Sequence, residues 1–163
     1  MRRINSIFIV LLIAIFFLTA AKMNNGSRIY SRADCKIQVS AKGLNKNVEL
    51  KMTITNISND VIKIPVFLFP NDEEEFFGDW FEIIDKNDEV IDYEGKQADI
   101  DYEPEKVKCL ILKPGKSHTV CLACLKKYYK LQDGKVYTIQ YLGPLGESNI
   151  VEFNYLWDIK NEV

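Results

Sequence analysis

Four cysteines, Cys35, Cys109, Cys121 and Cys124, carry the most reactive side chains in this 163-residue sequence. Cys121-Leu122-Ala123-Cys124 is a C-x-x-C, a spacing that serves as a redox dithiol or as half of a zinc site. Redox pairs of this kind usually open a helix, where the dipole lowers the thiol pKa. Here the pair falls in a predicted strand, and residues three apart on a strand point to opposite faces, which disfavours a bond between them. A zinc site needs two further ligands, for which Cys35, Cys109 and His118 are the candidates. An even number of cysteines in an exported chain reads instead as two structural disulfides. Three pairings are possible. If Pro114-Gly115 turns a hairpin, Cys109 falls nearly opposite Cys121, and Cys109–Cys121 with Cys35–Cys124 is the preferred set. Closing such a loop stabilises by roughly 3 kcal/mol in the chain-entropy model. No metal and no cofactor is expected.

His118 is the single histidine. Multi-histidine metal sites are therefore excluded, and a Ser-His-Asp arrangement would need a nucleophile on a strained turn, for which no G-x-S-x-G exists. His118 reads as a surface or satisfied histidine, and the chain reads as a non-enzyme. Asp72-Glu73-Glu74-Glu75 and Asp99-Ile100-Asp101-Tyr102-Glu103-Pro104-Glu105 are acidic clusters. Calcium takes six to eight oxygen ligands, but neither cluster has the glycine-centred spacing of an EF-hand loop, so both read as solvated loops. Paired carboxylates for glycoside hydrolysis would need a defined separation across a cleft.

Phe76-Phe77-Gly78-Asp79-Trp80-Phe81 follows the first acidic run directly. Strict alternation buries either Phe77, Asp79 and Phe81 or Phe76, Gly78 and Trp80, and leaves the other set outside. Aromatics beside charge are what protein interfaces enrich. Asp72, Glu73, Glu74, Phe76, Phe77, Trp80 and Phe81 are accordingly the candidate binding residues, weighed against ordinary core or rim packing.

The elements that must position these residues begin with an export segment. Arg2 and Arg3 precede an almost wholly apolar run from Ile7 to Leu18, and Thr19-Ala20-Ala21 supplies a small-residue exit. These are the three parts of a secretory signal over residues 1–21. The run is short for a membrane span of roughly 20 residues; an uncleaved anchor is the alternative. No cysteine near the cut marks a lipoprotein. Residues 22–33 read as a loose polar lead-in, 34–158 as the folded domain and 159–163 as a tail. A periplasmic or secreted location is expected, with no membrane contact after cleavage.

Composition is that of an ordinary globular chain, 47% hydrophobic, 27% charged and 12% aromatic. The formal charge of −2, without a basic stripe, argues against nucleic acid as a partner. Period-two alternation recurs along the chain. Val48, Leu50, Met52 and Ile54 share one face of a segment whose other face carries Glu49, Lys51, Thr53 and Thr55. Cys35–Ala41 alternates likewise. Further strands are predicted over Val61–Phe69 (Pro65 suggesting an edge or bulge), Trp80–Ile84, Val90–Tyr93, Val107–Leu112, His118–Leu125, Val136–Leu142 and Ile150–Trp157. Leu125–Leu131 holds one helical turn. Eight or so short strands with regular turns predict a single antiparallel, all-β, immunoglobulin-like β-sandwich. Asn25-Gly26-Ser27 and Asn56-Ile57-Ser58 fit the glycosylation sequon.

Leu112-Lys113-Pro114-Gly115-Lys116-Ser117 resembles the L-x-P-G-[ED]-S strand turn of bacterial immunoglobulin-like domains. Together with Leu50–Ser58, Val90–Gly95, Leu125–Leu131, Gly134–Tyr141 and Glu147–Val151, it is similar to the N-terminal β-sandwich that precedes the catalytic domain of deuterolysin-like and peptidyl-Lys metalloendopeptidases. The likeness spans roughly residues 35–156. The family's HExxH zinc helix is missing here, so the resemblance implies the accessory domain without the protease. Tyr137 stands where a tyrosine corner would start a late strand, while Ile139 replaces the second core cysteine of antibody domains. The expected function is an exported, non-catalytic module that binds another protein, as an inhibitor or immunity-type protein. An envelope-structural or carbohydrate-binding module, and a zinc- or redox-active cysteine domain, are the alternatives.

Overall fold

Alternating apolar residues build the centre of the molecule. In the computed structural model, which describes residues 26–44, 47–70, 76, 78–97 and 107–155, strand β3 (Asn47–Asn56) buries Val48, Leu50, Met52 and Ile54, none more than 1% exposed. On one side it pairs antiparallel with β2 (Cys35–Leu44), from Cys35↔Asn56 to Leu44↔Asn47. On the other it pairs with β7 (Ser117–Leu122), from Leu50↔Leu122 to Thr55↔Ser117. Ile37 and Val39 of β2 and Val120 and Leu122 of β7 extend the same buried face. A second sheet has the order β5 (Phe81–Asp85), β8 (Val136–Tyr141), β9 (Val151–Asn154), all antiparallel. A third is β1 (Arg28–Ile29), β4 (Ile62–Pro65), β6 (Cys109–Leu112), with β1 parallel to β4. The described residues thus form nine strands in three sheets, with three short 3₁₀ turns and one shared apolar cluster, an all-β chain as the alternation predicts.

Two contacts bring the first two sheets edge to edge. The Asn149 side chain copies a backbone pair: its amide oxygen accepts from Val39 N at 2.9 Å and its amide nitrogen donates to Val39 O at 3.0 Å. Further along β2, a Cβ on Gly43 would collide with the Asn154 carbonyl, so only glycine lets β2 approach β9 this closely.

Several boundaries differ from the alternation. β4 ends at Pro65, whose fixed φ turns the chain into a 3₁₀ helix at Val66–Leu68. Pro65 lies on the middle strand of its sheet, but β1 reaches only Ile62 and Lys63, so β4 has one neighbour at Pro65. Residues 90–93 make isolated bridges, Ile84↔Val90 and Tyr93↔Tyr129, in place of a strand. The lead-in is not loose from Arg28 onward. Arg28 clasps the Asp34 carboxylate with two hydrogen bonds of 2.7 Å and reaches Asp60 at 2.9 Å. That charge partner is what lets so polar a segment order as β1 and the 3₁₀ helix Arg32–Asp34. The proposed signal (residues 1–21) and tail (159–163) lie outside the described residues, among which no helix is long and apolar enough to cross a membrane.

The largest departure is at Pro114-Gly115. β6 pairs with β4 and β7 with β3, so the turn carries the chain between sheets and closes no hairpin. Gly115 adopts φ 68°, and Lys116 N donates to Lys113 O at 3.1 Å. Asn56 anchors the crossing. Its backbone accepts from Gly115 N (2.9 Å) and donates to Lys116 O (3.0 Å). Its fully buried side chain donates to Leu112 O (2.9 Å) and Asp60 O (2.8 Å). An amide so enclosed has no room for a glycan, which removes Asn56-Ile57-Ser58 as a sequon.

Candidate aromatic interface

Phe76 organises the site. It is 2% exposed, and its ring meets four others: Trp80 (5.4 Å between centroids), Phe81 (5.4 Å), Tyr93 (5.8 Å) and Tyr128 (5.8 Å). The contacts to Trp80, Tyr93 and Tyr128 are edge-to-face, between 84° and 89°, the arrangement that the ring quadrupoles favour. Tyr93 and Tyr128 lie parallel within 4° at 6.3 Å. Trp80, Tyr93 and Tyr128 are half-buried, while Phe76 and Phe81 are core. Asp79, exposed beside them, accepts a hydrogen bond from the Tyr129 hydroxyl at 3.3 Å.

Three chain segments converge here. Phe81 opens β5, and Gly78 lets the indole of Trp80 fold back over the backbone, since a Cβ there would meet the ring at 2.6 Å. The bridge Tyr93↔Tyr129, with Glu94 N donating to Tyr128 O at 2.8 Å, holds 93–94 against 128–129. The Tyr93 hydroxyl donates to Phe76 O at 2.7 Å, which ties the third segment in. Burial raises the Tyr93 phenol above its ordinary value. Burial, and then the Asp79 carboxylate, raise Tyr129 further, so both stay neutral donors at physiological pH.

Of the residues singled out from sequence, Phe76, Trp80 and Phe81 come together, but only Trp80 keeps an accessible ring. Phe76 and Phe81 are corrected from binding residues to supports. Alternation could not separate them because Phe76, Gly78, Asp79 and Trp80 are not in a strand, so the period-two rule does not apply there. Asp72, Glu73, Glu74 and Phe77, and the second acidic cluster at 99–105, lie outside the described residues. Tyr93, Tyr128, Tyr129 and Asp79 were missed. Tyr128-Tyr129 inside the predicted helical turn was the available signal: two adjacent aromatics on one turn cannot share one buried face.

The cysteines are four thiols, and the preferred pairing is contradicted. Cys35 pairs with Asn56 at one end of β3, whereas the Ala123 carbonyl beside Cys124 accepts from the Asn47 side chain at the other end. Nine residues of strand separate those ends by about 30 Å, against about 7 Å for bridgeable Cα atoms. Cys109 and Cys121 sit on different sheets. Each alternates with inward residues, Leu112 on β6 and Val120 and Leu122 on β7, so both thiols face away from the core. Burial pushes the Cys35 thiol up to about 11, so it behaves as an inert apolar side chain.

The His118 ring lies edge-on to Phe69 at 6.0 Å. Among the described residues no three His, Cys, Asp or Glu side chains approach closely enough to hold a metal ion. An open depression of about 210 Å³ is lined by Asp85, Asn87, Gly134 and Lys135. The Asp85 carboxylate in its wall is consumed structurally, accepting from Asn87 N (2.8 Å), Glu89 N (3.2 Å) and the Lys135 ammonium (3.1 Å). No protein-family model and no curated protein matches this sequence.

Proposed function

We propose that the chain is an exported, non-catalytic, immunoglobulin-like β-sandwich that binds another protein through Trp80, Tyr93 and Tyr128 with Asp79 at their edge. The observation that carries this reading is the half-buried aromatic group braced from beneath by Phe76. Large rings held in one conformation lose little entropy on binding, which is why Trp and Tyr dominate interface energetics. An inhibitor or immunity-type role suits such a preformed surface. The immunoglobulin-like reading, and with it the likeness to the protease accessory domain, is supported by Tyr137. Its hydroxyl accepts from Gln132 N at 2.8 Å, the backbone hydrogen bond a few residues upstream that defines a tyrosine corner. Export to the periplasm or beyond rests on residues 1–21, and N-terminal sequencing of the protein recovered from its cells tests it: a chain beginning at Lys22 is expected, and an intact Met1 would remove that part.

A carbohydrate ligand is the second reading, favoured by the parallel Tyr93 and Tyr128 rings, on which sugar rings could stack. Capture of a stoichiometric protein partner from envelope and culture fluid, run beside a glycan array, separates the two. A protein captured by wild type and lost in Trp80→Ala,Tyr128→Ala supports the first. Glycan binding lost in the same variant, with no protein captured, replaces it with the second.

A further inference from the structure

We propose that Cys121 and Cys124 form a reversible dithiol–disulfide pair, closed by exchange with a low-molecular-weight disulfide. The inference rests on the path of the chain and is independent of the aromatic surface. In an unbroken strand the two side chains would point to opposite faces. β7 ends at Leu122, however, and the chain bends at Ala123 before the 3₁₀ helix Leu125–Lys127. The burial pattern records the change of phase. Leu122 and Leu125, three apart, are both buried, at 1% and 0% exposure. The residue before each leucine is therefore left on the outer side: Cys121 is exposed and Cys124 half-buried.

The remaining cysteines are poor competitors. Cys35 is buried at the far end of β3, and Cys109 faces outward from a different sheet. Lys51 lies opposite Cys121 in the β3–β7 ladder, shared with Glu49 at 2.9 Å, and Lys126 and Lys127 follow Cys124 directly. Accessible thiols are the ones that exchange. The more exposed Cys121 thiolate attacks glutathione disulfide, releasing one glutathione thiolate and leaving a mixed disulfide. The Cys124 thiolate then displaces the second glutathione. The protein loses two electrons and two protons, and two glutathione thiols are produced.

The test is oxidation of the purified chain with glutathione disulfide, followed by alkylation and non-reducing peptide mapping. Two of the four thiols should disappear, and the peptide holding Cys121 and Cys124 should be lighter by two hydrogens, reverting with dithiothreitol. The Cys121→Ser variant, at an exposed position, should fold with an unchanged circular dichroism spectrum and instead retain glutathione on Cys124. Four alkylatable thiols, glutathione on both cysteines of the wild type, a bridge to Cys35 or Cys109, or closure only in denaturant would each overturn the proposal.

Discussion

At the scale of single residues, the site depends on a division of labour between rings that support and rings that are presented. Phe76→Ala removes four ring contacts and opens a cavity, and should cost about 3–5 kcal/mol in denaturant unfolding. Trp80→Ala, at a half-buried position, should cost only about 1–2 kcal/mol while removing partner binding. Equal stability losses for the two would contradict the division. Arg28 and Asp34 give a pH test. The Arg28 hydrogen bonds hold the Asp34 carboxyl down to about 2, below the unfolded value of about 3.9. The clasp therefore contributes fully above the unfolded value and is lost as pH falls through the folded one. Arg28 is 43% exposed, so solvent screening keeps the effect modest. Thermal midpoints of Arg28→Met and wild type should converge as pH falls from roughly 4 to 2; a constant gap would assign Arg28 another role. Residue types were legible in the sequence here, but partners were not. Arg28 lies six residues from Asp34 and 32 from Asp60, and nothing local announces either pair.

At the scale of elements, period-two alternation identified β2, β3 and β8 closely because each buries one face and wets the other. It could not say which strand pairs with which. Pro114-Gly115 has the composition of a hairpin turn and instead crosses between sheets, because the buried Asn56 amide supplies the hydrogen bonds that fix it. The expected Cys109–Cys121 pairing needs that hairpin and falls with it. Asn56→Ala should lower stability by about 2–4 kcal/mol, since it strands the buried Leu112 carbonyl and releases the crossing. A loss below about 0.5 kcal/mol would mean that the crossing holds without it. Gly43→Ala should cost about 1–3 kcal/mol by forcing β2 away from β9. Hydrogen exchange should quicken at Val39, whose amide depends on Asn149, before it quickens in the β3–β7 ladder.

At the scale of the whole molecule, one apolar cluster drawn from all three sheets makes the aromatic surface rigid. The fold class was legible because strand periodicity is a property of each segment. The site was half legible: Trp80 stood out, but Tyr93 and Tyr128 reach it only through tertiary bridges that no local pattern encodes. The central claim, that this surface engages a protein partner, is tested most directly by parallel affinity capture with wild type, Trp80→Ala,Tyr128→Ala and Ile111→Ser. Ile111 is 60% exposed on β6, in a different sheet from the β5 strand that positions the aromatic group, and controls for general loss of apolar surface. The account predicts one stoichiometric partner retained by wild type and Ile111→Ser and lost from the aromatic variant, with all three melting cooperatively. A partner retained by the aromatic variant, or lost only from Ile111→Ser, would contradict it.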